Sequence, residues 1–133
     1  METEKVSSVS EARVEESLWM VVAVIQPFKL DAVTLALEEI PGFGGMTVSE
    51  CRGFGREKVQ ESSPTREEST GLIDFTTKRR VECAVSGTDK AQAVMEAIAR
   101  AAHTGNRGDG KLFAWPIARA VRLRTFEEGG KAL

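Results

Sequence analysis

Tyrosine is absent from this sequence of 133 residues, and histidine and cysteine are nearly absent, with one and two copies. Two cysteines, Cys51 and Cys83, are too few for a disulfide framework, and their spacing is not that of a metal clip. They are either buried free thiols or a redox pair between neighbouring strands, a choice that geometry decides. The single histidine, His103, has no serine or cysteine beside it in a nucleophile motif. We therefore expect neither a metal site nor a catalytic triad.

The sequence also lacks a dominant sign of charge and a long apolar segment at its start. Eighteen lysines and arginines nearly balance 20 aspartates and glutamates, which gives no electrostatic reason to bind nucleic acid or an anionic membrane. Residues 1–18 mix acids, bases and serines without the apolar run of a secretory signal or a membrane span. We expect a disordered extension over residues 1–18 and a cytoplasmic protein with no direct membrane insertion.

The hydrophobic pattern predicts the order of the elements. Leu18–Ile25 is continuously apolar and rich in β-branched residues, which is typical of a strand covered on both faces. Two helices are predicted over residues 30–40 and 90–102, and further strands over 46–53, 80–86, 111–117 and 119–124. This order is the ferredoxin-like βαββαβ plan of an α+β protein, an antiparallel sheet with both helices on one face. Because the first strand is apolar on both sides, we expect the second face to pack against another copy in a closed homo-oligomer.

Three clusters carry basic residues, and two of them combine these with glycines. Residues 104–111 read Thr-Gly-Asn-Arg-Gly-Asp-Gly-Lys, and amides freed by glycine can cradle phosphate oxygens, although the order of a Walker loop is absent. Residues 52–58 begin a long polar stretch, which predicts a mobile loop. Arg122 and Arg124 share one face of the predicted last strand, and paired guanidiniums suit a phosphate chain. Each cluster by itself is equally explained as a tight turn, a hinge or solvated charge.

Read together, these clusters resemble the PII signalling proteins. Residues 25–31 resemble that family's I-K-P-F-K-L-D, and residues 45–56 resemble its G-M-T-V-x-E-x-x-G-F-G-R. Asp74, Phe75 and Lys78 resemble its D-F-x-x-K, residues 104–111 its B-loop, and residues 122–128 its C-terminal R-x-R-T-G-E-E. The resemblance spans residues 19–128, with five motifs in register.

The resemblance implies a homotrimer of ferredoxin-like subunits that binds ATP or ADP, with AMP as a further candidate, in the clefts between subunits. Ligand binding would set the conformation of the T-loop, residues 55–78, which would dock onto a transporter, enzyme or regulator. A B-loop over residues 103–111 and a C-terminal tail over 129–133 complete the expected organisation. Carried over by position, the nucleotide would contact Thr47, Gly53, Gly55, Arg56, Gly108, Asp109, Gly110 and Lys111 of one subunit and Arg122 and Arg124 of its neighbour.

The sequence departs from the family at the expected effector site, formed by Arg56, Glu57 and Lys78. Glu57 replaces the glutamine that helps hold Mg²⁺ and 2-oxoglutarate in the family. A carboxylate can ligate Mg²⁺, whose presence stays open, but it repels a dicarboxylate by roughly a kcal/mol in a partly shielded cleft. We therefore expect no ordinary 2-oxoglutarate sensing, and bicarbonate, linked to carbon uptake or fixation, is the alternative effector. The absence of tyrosine excludes the tyrosine nucleotidylation seen in many family members.

Two other classes share the predicted strand order. A small acylphosphatase-type enzyme needs an arginine-bearing phosphate loop after the first strand, where this sequence has Gln-Pro-Phe-Lys over residues 26–29. An RNA-binding module needs aromatic residues on its central strands, and residues 80–85 contain none. The sequence therefore favours a regulatory protein without enzymatic activity.

Overall fold

The computed structural model describes residues 17–55 and 74–133, which form a four-stranded antiparallel sheet and two α-helices. The strands lie in the spatial order β2-β3-β1-β4, and both helices pack on one face of the sheet. This is the ferredoxin-like plan, so the predicted α+β fold class is confirmed. The elements are β1 (Leu18–Ile25), α1 (Leu30–Glu38), β2 (Thr47–Gly53), β3 (Thr76–Ser86), α2 (Thr88–Ala102) and β4 (Gly110–Ile117), with short 3-10 helices at Pro27–Lys29 and Gly129–Ala132. Most of the predicted N-terminal extension and T-loop lies outside the described residues.

β1 is central because it pairs along its whole length with β3 on one side and β4 on the other. Its continuous apolar sequence suits this central position, where the helices cover one face and the other face is the one expected to pack against another copy. β2 and β4 are the edges of the sheet. The edge position of β4 was predicted from Pro116, which cannot donate a hydrogen bond to a neighbouring strand. That prediction is confirmed.

The hydrophobic core lies between the sheet and the two helices. Alternate residues of β1 and β3 face the helices, and each helix turns one apolar stripe toward the sheet. The fully buried side chains include Val21, Val33, Leu37, Val81, Cys83, Val94 and Ile98. The stripe predicted for α2 is confirmed, except that Met95 is only partly buried.

The opposite face of the sheet carries aromatic side chains that no described helix covers. Phe113 and Trp115 of β4 lie on this face beside Val22 and Met20 of β1, with which they pair, and both aromatic residues are exposed. Exposed aromatic residues on a sheet face are typical of an interaction surface. The geometry agrees with the expectation that this face packs against another copy.

The strand predicted over residues 119–124 is wrong. Only an isolated bridge between Val121 and Glu128 forms there, because the chain reverses at once. The Arg122 amide donates to the Glu127 carbonyl at 2.8 Å, and the Phe126 amide donates to the Arg122 carbonyl at 2.7 Å. Alternation of apolar and basic residues does not by itself make a strand, since a strand also needs a partner. We call residues 120–129 the C-terminal hairpin.

The register of β2 and β3 answers the question about the two cysteines. Cys51 lies opposite Lys78, whereas Cys83 lies further along β3 on the opposite face of the sheet. Both thiols are free, so a disulfide between them is excluded. Burial raises the pKa of the Cys83 thiol to about 11.

Among the described helices, none is long and apolar enough to cross a membrane.

Two leucines of α1 test the assignment of the core. Leu37 is 0% exposed and Leu35 is 63% exposed. We expect Leu37→Ala to lower the free energy of unfolding by about 2–5 kcal/mol, because it removes buried methyl groups and leaves a cavity. Leu35→Ala, the matched control on the same helix, should change it by less than about 1 kcal/mol. Urea denaturation followed by circular dichroism measures both, and equal effects would contradict the assigned orientation of α1.

Candidate functional site

The two glycine-and-base clusters meet at one end of the sheet. Ile25, the last residue of β1, pairs with Arg79 of β3 and with Gly110, the first residue of β4. Gly53, the last residue of β2, pairs with Thr76, the first residue of β3. The segment from Gly53 to Gly55 and the loop of residues 103–111 therefore leave the sheet at the same end. We call this the glycine-loop end.

The glycines of this loop are required by its backbone. Gly105, Gly108 and Gly110 have φ angles of 87°, 89° and 111°, a region that side chains disfavour. At Gly110, a Cβ atom would lie 1.8 Å from the carbonyl oxygen of Val24, so only glycine allows β4 to approach β1 this closely. The predicted turn is therefore confirmed, and its amides are held in a fixed conformation.

Asp109 organises the loop from within. Its carboxylate accepts hydrogen bonds from the Thr104 amide at 2.7 Å, the Gly105 amide at 2.9 Å and the Thr104 hydroxyl. His103 Nδ1 lies 4.0 Å from the same carboxylate. These groups lower the pKa of Asp109 to about 2, the Thr104 hydrogen bonds contributing most. In this arrangement the carboxylate and the Thr104 and Gly105 amides shape the loop from within, while Lys111 is exposed.

Lys78 joins β3 to the same loop. Its side chain is buried, and its ammonium group donates a hydrogen bond to the carbonyl oxygen of Gly108. The side chain of Gln26, which follows β1, also lies against Gly108. Sequence reasoning did not select Gln26, although residue 26 is a lysine in the family motif that residues 25–31 resemble. Both contacts arise where β1 ends and β3 begins, which only the register reveals.

An aromatic pair, Phe54 and Phe75, lies beside the glycine-loop end. The ring centroids are 5.8 Å apart with an interplanar angle of 49°, and both side chains are exposed. The two residues flank the segment 56–73, which contains Arg56 and Glu57 and lies outside the described residues. Sequence reasoning assigned no role to this pair. The signal available was the apolar character of Phe54 and Phe75 at the two ends of a polar stretch.

Thr47 lies at the far end of β2 from Gly53. Six residue steps along a strand correspond to roughly 20 Å. β2 is an edge strand whose first four residues are exposed, so Thr47 and the glycines are connected by an accessible surface. A ligand that contacts both must extend along this edge.

The arginine pair lies at the opposite end of the sheet. The Gly129 amide donates to the Ala120 carbonyl at 3.1 Å, and this base of the C-terminal hairpin lines a cavity of about 260 Å³ with Leu18 and Ile117. Ile117 is seven residue steps from Gly110, or roughly 23 Å along β4. Within one subunit, the hairpin that carries Arg122 and Arg124 therefore begins far from the glycine loop.

The two arginines differ in their surroundings. Arg122 is partly buried, its Nη2 atom donates to the Leu133 carbonyl at 2.7 Å, and its Nε atom is buried without a partner in the described chain. Arg124 is exposed. The prediction that they share a strand face fails with the strand itself. No group of three potential metal ligands occurs among the described residues.

The fold and these loops define a small α+β subunit with an uncovered aromatic sheet face and phosphate-suited groups at its two ends. The family described as "Nitrogen regulatory protein P-II" matches residues 18–127. The P-II proteins of Azospirillum brasilense and Escherichia coli K12 are 44% and 42% identical to this chain over 111 residues, which cover 84% of it and 96% of each relative. The crystal structure of Arabidopsis thaliana PII bound to citrate is similar with a TM-score of 0.70 and 33% identity, covering 88% of this chain and 92% of that one.

The chain therefore belongs to the nitrogen regulatory protein P-II family. The resemblance stated from the sequence motifs is confirmed. Proteins of this family are trimeric regulatory proteins that bind ATP, ADP and small effectors and interact with target proteins.

The hydrogen bonds of Asp109 lead to a pH prediction. Its pKa is depressed from 3.8 to about 2, so its stabilising effect on the loop is complete above pH 3.8 and is lost as the pH falls through about 2. We expect the backbone amide resonances of Thr104 and Gly105 to titrate with a midpoint well below pH 3.8 in ¹⁵N NMR spectra. In Asp109→Asn, both resonances should already be displaced at pH 6 and show no such titration. A midpoint at or above pH 3.8 would show that these hydrogen bonds are absent in solution.

Proposed function

We propose that this chain is an adenine-nucleotide-dependent regulator that acts in the cytoplasm as a homotrimer. It binds ATP or ADP, with AMP as a further candidate, between two subunits and reports to a target protein through the T-loop segment. The observation that carries this proposal is the separation of the phosphate-suited groups. The glycine loop and the arginines lie at opposite ends of one subunit, so each end is an incomplete site until a second copy supplies the other.

The charges at the two ends favour an anion between them. Lys78 and Lys111 lie at the glycine-loop end, and Arg122 and Arg124 lie on the C-terminal hairpin. Glu127 and Glu128 make the hairpin neutral overall, so any repulsion is local to these four basic side chains, and an anion placed between them converts it into attraction. Phosphate groups fit this position, because glycine amides cradle their oxygens and guanidinium groups bind them in forks.

The proposed contacts divide between the two subunits. Thr47, Gly53 and Gly55 bind along the β2 edge, the loop contributes the amides of Gly108 and Gly110 with the Lys111 ammonium group, and Asp109 keeps the loop in shape. Arg56, which lies outside the described residues, is a further proposed contact from this subunit. Arg122 and Arg124 of the neighbouring subunit bind the phosphates. Extended along β2, the nucleotide places its base toward Thr47 and its phosphates toward the glycines.

The effector site distinguishes this chain within the family. The Lys78 ammonium group, one of its three candidate residues, already donates to Gly108, so an anionic effector there acts directly on the glycine loop. Glu57 adds a negative charge to the same candidate site. We infer that 2-oxoglutarate is not the ordinary signal. Bicarbonate is the alternative effector, because it is a small anion without the second carboxylate of 2-oxoglutarate and is therefore repelled less by Glu57.

Removal of one basic residue from each end tests the nucleotide site. We expect Lys111→Ala and Arg124→Ala each to lower ATP affinity by about tenfold or more, because hydrogen bonds to charged groups contribute roughly 1.5–3 kcal/mol. Isothermal titration calorimetry measures the affinity. Arg100→Ala, which removes an exposed base from the last turn of α2, is the control and should bind ATP as the unmodified protein does.

A mixing experiment shows whether the two ends belong to one site. Subunits with Lys111→Ala and subunits with Arg124→Ala are unfolded and refolded together. A mixed trimer then contains an interface with both Lys111 and Arg124 intact, and high-affinity ATP binding should return. If ATP binding does not return in mixed trimers, the two residues do not act across a subunit interface.

Glu57 accounts for the expected effector preference. In the presence of ATP and Mg²⁺, we expect Glu57→Gln to strengthen 2-oxoglutarate binding by about fivefold, which corresponds to roughly 1 kcal/mol of relieved repulsion. Calorimetric titration with 2-oxoglutarate measures this change, and a parallel titration with bicarbonate tests the alternative effector. Equal 2-oxoglutarate affinity in both proteins would contradict a role for Glu57.

A further inference from the structure

We propose that Leu123 and Phe126 on the C-terminal hairpin of one subunit pack against the Phe54–Phe75 pair of the next subunit. This contact joins the subunits beside the nucleotide site, independently of the nucleotide. The inference rests on the proposed function in one respect, since it takes the arginine-bearing hairpin of one copy to reach the glycine-loop end of another.

Phe126 has a backbone conformation that its own subunit does not explain. Its φ angle is 64°, in the left-handed region where a bulky side chain is disfavoured, and it is the only non-glycine residue with positive φ in the described chain. Its side chain is 80% exposed, so burial within the subunit offsets little of this strain. The family motif that residues 122–128 resemble has glycine here. A strained residue of this kind points to a role outside the subunit that contains it.

Leu123 adds to the apolar surface on the same turn. It is 88% exposed, and Val121 beside it is also exposed. Single exposed apolar residues are common, but three within six residues form a patch. The backbone hydrogen bonds between Arg122 and residues 126 and 127 hold the turn closed, so Leu123 and Phe126 are presented together with Arg124.

The matching surface lies at the opposite end of the subunit. Phe54 follows the last residue of β2 and Phe75 precedes the first residue of β3, so their exposed rings lie next to Gly53 and Gly55. A contact between two different patches of the same chain is heterologous, and such contacts repeated head to tail close a ring. A second copy of this chain is therefore the occupant that fits both patches at once.

Such an apolar contact would offset electrostatic repulsion between basic side chains at the two ends. The hairpin carries Arg122 and Arg124, and the glycine-loop end carries Lys78 and Lys111, so these four side chains repel one another locally when no anion lies between them, although Glu127 and Glu128 make the hairpin neutral overall. An apolar contact beside these charges offsets the repulsion and keeps the cleft assembled and ready for a ligand.

The rate of subunit exchange tests this contact without nucleotide. Isotopically light and heavy proteins are mixed, and native mass spectrometry follows the formation of mixed trimers. We expect Phe126→Ala and Phe75→Ala each to accelerate exchange by about tenfold, because loss of an interface contact acts mainly on dissociation. The double variant should exchange little faster than the faster single variant, since both substitutions remove the same contact. Leu35→Ala, which removes an apolar residue of α1 whose exposure lies between those of Phe75 and Phe126, should leave the rate unchanged.

Three results would overturn the contact: unchanged exchange in the single variants, independent effects that multiply in the double variant, or an unmodified protein that is monomeric. Circular dichroism verifies that each variant is folded. We expect the variants to fold, because the substituted side chains are exposed. ATP calorimetry on the unmodified protein separates the two proposals. Absence of ATP binding would refute the proposed nucleotide site, whereas the exchange rates would still show whether Phe126 and Phe75 are coupled.

Discussion

The pairing of β1 with a strand on each side is the constraint on which the rest of the structure depends. A strand in this position needs apolar side chains on both faces, and the eight residues of Leu18–Ile25 supply them. A shift of one residue would turn the core side chains outward, so burial fixes the register. That register places Ile25 opposite both Arg79 and Gly110. The position of the glycine loop beside β3 is thus a consequence of how β1 is buried.

The same pairing separates the groups that suit a phosphate. β4 begins at Gly110 beside the glycine loop and runs antiparallel to β1, so it delivers the C-terminal hairpin to the other end of the sheet. No side chain on that hairpin can return across a distance of roughly 23 Å, which is the length of β4. In the proposed nucleotide site, assembly is therefore part of the site itself, and the uncovered aromatic face of the sheet offers a surface for it. The direction of β4 thus determines that the glycine loop and the arginine-bearing hairpin lie at opposite ends of the subunit.

Sequence reasoning found the parts of this structure that depend on local pattern. The strand at Leu18–Ile25, the apolar stripe of α2 and the glycine-rich turn each have a signal within a few residues. It failed at residues 119–124, because their alternation resembles a strand but no described strand pairs with them. The contacts of Lys78 and Gln26 with Gly108 were also missed, since they depend on register between distant segments. The family motifs indicated site residues by position. They did not indicate that the Asp109 carboxylate accepts hydrogen bonds from Thr104 and Gly105 within the loop.

A ligand at the glycine-loop end is well placed to influence the segment that begins after Gly55 and ends before Asp74. Both of its connections to the fold lie at this end, next to Phe54 and Phe75. A ligand shifts a conformational equilibrium only if it binds the alternative states with different affinity. The Lys78 ammonium group supplies such a difference, because it holds the Gly108 carbonyl and lies close to the start of β3. At the proposed effector site, an anion that drew this ammonium group away would change the glycine loop and the base of the segment together. The buried lysine therefore connects ligand binding to the part of the chain proposed to contact a target.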